Sequence, residues 1–196
     1  MSEQKKDIRF DKTAAKYDMV AGGGSRRFYD LILKHARLFP GASVLDAGCG
    51  TGTILRRMAD ACEIDGCGID ISESMITEAK RKCPQMTFYV ARCDATPFDD
   101  GRFDVIVSCM AFHHFGDKEG FAKEAARLLK PGGMLYIADP RFPAFIRKAI
   151  NGICRLLRVA GEFLTPEGTA AVFARRGFEY IGSAYDGYAQ ITILRR

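Results

Sequence analysis

The run Ser43-Val44-Leu45-Asp46-Ala47-Gly48-Cys49-Gly50-Thr51-Gly52 constrains this chain more than any other, with Ile54, Leu55, Met58 and Ala59 following at helical spacing. Its apolar first half predicts a buried strand, and the residues after it an amphipathic helix. Gly48, Gly50 and Gly52 must turn one into the other at once. Without side chains they accept left-handed backbone angles and leave the backbone open to a ligand. A helix starting at such a turn presents unpaired amides and a positive dipole end, which suits a phosphate or a carboxylate equally. Alone, the run says that a nucleotide-like ligand binds at a strand-to-helix turn.

The alternation continues along the chain. Strands are expected over 66–70, 86–90, 103–108 and 134–138, and two more over 178–184 and 188–194. Between them Ser72 is a candidate N-cap for a helix burying Met75, Ile76 and Ala79. Further helices are expected over 117–129, stopped by Pro131-Gly132-Gly133, and over 166–176. Strands alternating with helices imply a parallel sheet with ligands at the carboxyl ends of its strands. Only a short Asp186-Gly187 turn joins the last two strands, so they must run antiparallel. The expected fold is α/β: a doubly wound, mostly parallel seven-stranded sheet with an antiparallel edge strand and helices on both faces.

A chain of 196 residues suits one domain. Ala21-Gly22-Gly23-Gly24-Ser25 reads as a linker, setting a lid segment of residues 1–30 apart from a single domain over 31–196. A second lid insertion is expected at about 141–165. Charged residues at 27% and hydrophobic ones at 47% exclude disordered and fibrous classes. The net charge of +5 is too small to argue for nucleic acid, and none is expected. Seven cysteines without a CxxC pair read as free thiols in a reducing compartment. With polar first residues and no long apolar run, they point to a cytoplasmic protein.

Glycine spacing narrows the ligand. A dinucleotide fingerprint needs GxGxxG or GxGxxA, but counting from Gly48 the last position falls on Thr53, and from Gly50 on Leu55. The pattern is instead Asp-x-Gly-x-Gly-x-Gly. Asp70, about twenty residues on, ends the second strand, where an acid accepts both hydroxyls of a ribose or caps the next helix. Cys93-Asp94-Ala95, Phe103-Asp104-Val105-Ile106-Val107-Ser108 and Leu128-Leu129-Lys130-Pro131-Gly132-Gly133-Met134-Leu135 follow in order, and Phe10-Asp11-Lys12-Thr13-Ala14-Ala15-Lys16-Tyr17-Asp18 precedes them. Together they resemble the class I, Rossmann-like S-adenosylmethionine-dependent methyltransferases, in the small-molecule branch related to ubiquinone-biosynthesis enzymes.

The resemblance implies a cofactor, S-adenosylmethionine, released as S-adenosylhomocysteine, and a set of contacts to it. Gly48 and Gly50 shape the pocket for the methionine part, with Cys49 a small residue fitting the turn and Asp46 beneath the loop, holding it. Asp70 takes the ribose, Ile71 and Met75 pack near the adenine, and Asp94 and Ala95 take its edge. Ser108 ends the fourth strand beside the transferring methyl. Tyr17 either closes over the methionine end or is an ordinary helix-packing aromatic.

His113 and His114 follow Ser108, and His113, nearer the strand end, is the preferred candidate for a base; the bland alternative is that both line the pocket or cap the next helix. A metal site made of Cys109, His113 and His114 is not expected, because three neighbours rarely point at one ion. Cys49 lacks an adjacent base and is not read as a nucleophile. No Asn/Asp-Pro-Pro-aromatic signature follows the fourth strand, so the acceptor is expected to be an oxygen, carbon, sulfur or aliphatic amine of a small, possibly apolar molecule. Asp139 and Arg141 are candidates for binding its polar groups.

Within the second lid, Ile146, Ala149, Ile150, Ile153 and Leu157 share one helical face, and Arg147, Lys148, Arg155 and Arg158 the other. The expectation is a lid packing its apolar face on the domain. Alternatives are a wall for an apolar cavity and a weak membrane-surface contact through 145–160. Rival functions are an inactive S-adenosylmethionine-binding scaffold or regulatory subunit, and an NAD(P)-dependent oxidoreductase. Oligomeric state has no signature in the sequence.

Overall fold

The structure, a computed structural model, describes residues 14–157, 159 and 161–196, with side chains from residue 24 onward. Seven strands lie in one sheet: β1 (Ala42–Ala47), β2 (Ile64–Asp70), β3 (Thr87–Val90), β4 (Phe103–Cys109), β5 (Leu129–Pro140), β6 (Glu179–Asp186) and β7 (Ala189–Arg195). Their order is β3-β2-β1-β4-β5-β7-β6. Strands β1 to β5 pair in parallel, whereas β7 runs antiparallel to both β5 and β6. The expected antiparallel pair therefore stands at one edge, with β7 as its inner member. The helices are α1 (Ala14–His35), α2 (Thr53–Ala61), α3 (Glu73–Lys82), α4 (Lys118–Leu128), α5 (Ala144–Leu157) and α6 (Pro166–Ala174).

Strand alternation divides the interior into two cores, because successive side chains point to opposite faces. Val44, Val105, Val107, Tyr136 and Ile191 meet Phe28 and Ile32 of α1, Leu55 and Met58 of α2, and Ile76 of α3. On the other face Leu45, Ile69, Ile106, Leu135 and Leu194 meet Phe121 and Leu128 of α4 and Phe173 of α6. Helix starts follow their caps: Ser72 Oγ accepts from Met75 N, Asp117 from Gly120 N, and Thr165 Oγ1 from Gly168 N, with Pro166 at the first turn.

Two expectations fail locally. The glycine run at 22–24 is no linker: α1 passes through it without a break. Tertiary packing overrides the poor helix propensity of glycine there. Ser25 and Phe28 are buried, Tyr188 Oη donates to Gly24 O at 2.8 Å, and Arg27 pairs with Asp186, so the β6–β7 hairpin grips the helix. Nor does Pro131-Gly132-Gly133 stop α4. Strand β5 begins directly at Leu129, and the proline and glycines lie inside it, beside a register shift between Phe103 and Val105. Gly132 takes a left-handed angle at that irregularity, with φ 78°.

Candidate functional site

The site is built from the glycine turn outward. Gly48 N and Cys49 N both donate to Ile69 O at 2.9 Å, which fastens the turn to the end of β2. Gly48, Gly50 and Gly52 have φ of 77°, 51° and 78°, a region that side chains resist. Their surroundings differ. A Cβ on Gly48 would lie 2.5 Å from Ala111 Cβ, whereas one on Gly50 would meet nothing within 4 Å. Gly48 is therefore needed for contact with the segment after β4, and Gly50 leaves open space where a ligand can approach.

Asp70 does more than end its strand. Its Oδ2 accepts from Gly50 N and its Oδ1 from Ser72 N, each at 2.9 Å, so one carboxylate joins the glycine turn to the start of α3. Asp46 behaves differently from expectation. It is buried, yet neither of its carboxylate oxygens has a hydrogen-bond partner among the described residues. It does not hold the loop by hydrogen bonds; Asp70 does. Burial, and after it the charge of Asp70, pushes the Asp46 carboxyl well above the usual carboxylate range. The buried Ser108 Oγ is likewise without a partner. Unpaired buried polar groups are costly and call for a ligand. Here the demand is for a cation or donor, which fits the positively charged methionine end of S-adenosylmethionine.

Burial also pushes up the thiols of Cys49 and Cys109, and the nearby Asp46 raises both further. This keeps both protonated and unreactive, as the small-residue reading of Cys49 requires.

At the carboxyl ends of β2 and β3 a cleft of about 540 Å³ is lined by Ile71, Val90, Ala91, Arg92, Ala95, Thr96 and Pro97. Ile71 and Ala95, both expected near the adenine, meet here, and Ile71 is 56% exposed. Met75 is instead buried beneath the start of α3. Asp94 is already engaged by Arg92, whose Nε donates to Oδ1 at 2.8 Å. Nothing in the local pattern signals that pair. Thr96 is held from below: its N and Oγ1 donate to Glu124 Oε1 at 2.9 and 2.7 Å, and Arg127 grips the same carboxylate.

Beyond β4, Met110 has φ 55°, the one non-glycine left-handed residue among those described. Strain of this kind costs about 1–3 kcal/mol and concentrates at functional sites. It leads into a short 3-10 turn, Phe112–His114. His113 is buried, with its Nδ1 2.8 Å from Asp139 Oδ1 at the end of β5. Phe163 stacks on its ring at 4.6 Å and 22°, His114 lies 4.0 Å away, and Glu162 N donates to His113 O at 2.9 Å. Burial pushes the Asp139 carboxyl up, while the bond from His113 and the charge of Lys118 oppose that shift. Asp139 was expected to bind substrate; its oxygen is committed to His113. Arg141 lies over the Tyr185 ring at 4.7 Å. The roles of Phe163 and Lys118 were missed, since nothing local marks residues brought in from α4 and from the chain after α5. The side chain of Tyr17 lies outside the described residues.

The methyltransferase-domain family matches residues 44–133, from the glycine turn to the start of β5. Residues 44–133 are a methyltransferase domain. The chain is 33% identical over 140 residues to a demethylmenaquinone methyltransferase of Renibacterium salmoninarum, covering 69% of this chain and 59% of that protein. It is 32% identical over 176 residues to phosphoethanolamine N-methyltransferase 3 of Arabidopsis thaliana, covering 79% of this chain and 35% of the relative. The chain thus spans less than two thirds of the length of either relative. Among solved structures, the complex between a Trm112 methyltransferase activator and a putative methyltransferase from Haloferax volcanii gives a TM-score of 0.82 at 22% identity. That match covers 95% of this chain and 96% of the other. It shows the same fold.

Proposed function

We propose that this chain transfers the methyl group of S-adenosylmethionine to a small-molecule acceptor, with His113 as the base for an acceptor that must lose a proton. The carrying observation is the contact of Gly48 with Ala111: the cofactor turn abuts the segment that holds His113. When bound, S-adenosylmethionine supplies a methyl on a positively charged sulfur and leaves as S-adenosylhomocysteine. Asp46, Ser108 and the turn of Gly48, Cys49 and Gly50 hold its methionine end, and Asp70 its ribose. Ile71 and Ala95 flank the adenine, with Asp94 at its edge and Met75 buried at the start of α3.

His113 Nδ1–H donates to Asp139, which fixes the tautomer and leaves the Nε2 lone pair to take the acceptor's proton. Asp139 is a positioning residue, acting through His113. Phe163 over the imidazole excludes water from the transfer, and its edge contact with Phe142 at 5.0 Å gives that side an aromatic wall. That wall favours an apolar or aromatic small molecule over nucleic acid. One relative is named for demethylmenaquinone and another for phosphoethanolamine, so both a ring acceptor and an amine belong in the test. No helix among the described residues is long and apolar enough to cross a membrane. The seven cysteines are free, which supports a cytoplasmic setting.

Calorimetry with S-adenosylmethionine and with S-adenosylhomocysteine tests the cofactor assignment, and absence of heat with both would end it. A screen of quinols, phenols and amines for formation of S-adenosylhomocysteine tests turnover. Binding without turnover on any acceptor would turn the reading to a scaffold.

A further inference from the structure

Helix α5 is not packed on the domain as the sequence led one to expect, for none of its residues is buried. Its half-buried positions are Arg147, Ile150, Asn151 and Cys154, which share one side of the helix. Asn151 makes the attachment: Nδ2 donates to Phe163 O at 3.0 Å, and Oδ1 accepts from Phe163 N at 2.9 Å. With that side turned inward, the apolar arc faces out. Phe145, Ile153, Leu156 and Leu157 are 74%, 56%, 82% and 63% exposed. Lys148 and Arg155, both exposed, run along one border of the arc, and α5 contains no acidic residue.

An outward apolar arc of this size is unusual on a soluble surface and marks a contact. Charge selects the occupant. A second copy of α5 packed across a twofold axis would bring basic border against basic border, with no acid on the helix to pair them. An anionic bilayer complements both features: acyl chains take the apolar arc and phosphates take Lys148 and Arg155.

We propose that α5 docks on an anionic lipid bilayer, lying in its interface with Leu156, Ile153 and Phe145 inserted. The docked helix begins just after β5, and Asn151 links it through Phe163 to His113. On the methyltransferase reading, on which only this clause rests, the acceptor site then opens at the membrane surface and draws a lipid-phase acceptor.

The test is flotation of the full chain with vesicles of phosphatidylcholine and phosphatidylglycerol, against phosphatidylcholine alone. The chain is expected to float with the mixed vesicles, less so as salt rises. Leu156→Glu, and separately Lys148→Glu with Arg155→Glu, are each expected to lower the bound fraction about tenfold or more. These side chains are exposed, so the variants keep the fold, checked by thermal unfolding. A wild-type chain that stays unbound overturns the proposal. So does binding that survives Leu156→Glu, or a dimer seen by sedimentation that Leu156→Glu dissociates while vesicles are ignored. Calorimetry with S-adenosylmethionine on the same samples reports separately on the cofactor site.

Discussion

His113 and Asp139 meet through Nδ1 and Oδ1 at 2.8 Å although 26 residues separate them in the chain. Adjacent parallel strands bring them together: Cys109 ends β4 beside Ala138 of β5, so the turn after one strand falls against the last residues of the other. Phe163 closes over the pair from the chain beyond α5. Three stretches distant in sequence thus converge on one imidazole, while Gly48 brings the cofactor turn to the same segment.

Asp139→Asn is expected to lower kcat by about a hundredfold with cofactor affinity unchanged, since loss of a general base costs about that much. The groups facing His113 are Asp139, His114 and, through Asp139, Lys118. His113→Ala should add little to Asp139→Asn, as residues acting as a unit are not additive. Equal losses of kcat and cofactor affinity would show that Asp139 only supports the fold.

Asp46→Asn is expected to stabilise the free protein at neutral pH while weakening the cofactor. The folded-state carboxyl lies well above its ordinary value, because of burial and then Asp70. A raised carboxyl gives stability in full below the unfolded value and loses it as pH climbs through the folded value. The advantage of the variant in urea unfolding should therefore grow with pH from the ordinary carboxylate range upward. A cationic ligand favours the ionised form, so binding should release a proton, read by calorimetry in buffers of different ionisation heat. Release unchanged in Asp46→Asn would disprove the assignment.

Asp70→Ala removes the acceptor of both Gly50 N and Ser72 N. Cofactor affinity is expected to fall by about tenfold or more, as a hydrogen bond to a charged group is worth about 1.5–3 kcal/mol. Unchanged affinity in calorimetry would remove Asp70 from the ribose site.

Glu124 gives an acid-side prediction of the opposite sign. Burial pushes its carboxyl up, but hydrogen bonds from Arg127 and from Thr96 outweigh this and hold it down at about 2. A depressed carboxyl stabilises above its unfolded value and loses that contribution as pH falls from there towards the folded value. Glu124→Gln should be less stable than wild type at neutral pH, by about 1–3 kcal/mol. The gap should close on acidification, and a constant gap would assign the loss to packing instead.

Much of this architecture is legible in the chain because its signals are local. Alternation of apolar runs with helical spacing gives β1 to β5 and their helices, and the short Asp186-Gly187 turn gives the antiparallel hairpin. Glycine spacing at 48, 50 and 52 and the acid at 70 mark the cofactor turn. Local signals mislead where tertiary contacts outweigh them. Gly22 to Gly24 read as a linker, yet Tyr188 and Asp186 grip the helix from the far end of the chain. The wheel of α5 shows two faces correctly but not which one turns inward, because Asn151 and Phe163 decide that.

The Asp-x-Gly-x-Gly-x-Gly turn, by itself, marked a strand-to-helix turn open to a nucleotide-like ligand, since glycine accepts left-handed backbone angles and leaves room for close approach. Tertiary structure alone decided what the acids around it do. Asp70 rather than Asp46 ties the turn, Asp46 is buried with no hydrogen-bond partner among the described residues, and Asp139 is bonded to His113. The reason is physical: a backbone angle is a property of one residue, whereas the charge and bonding of a carboxylate depend on which distant groups folding places beside it.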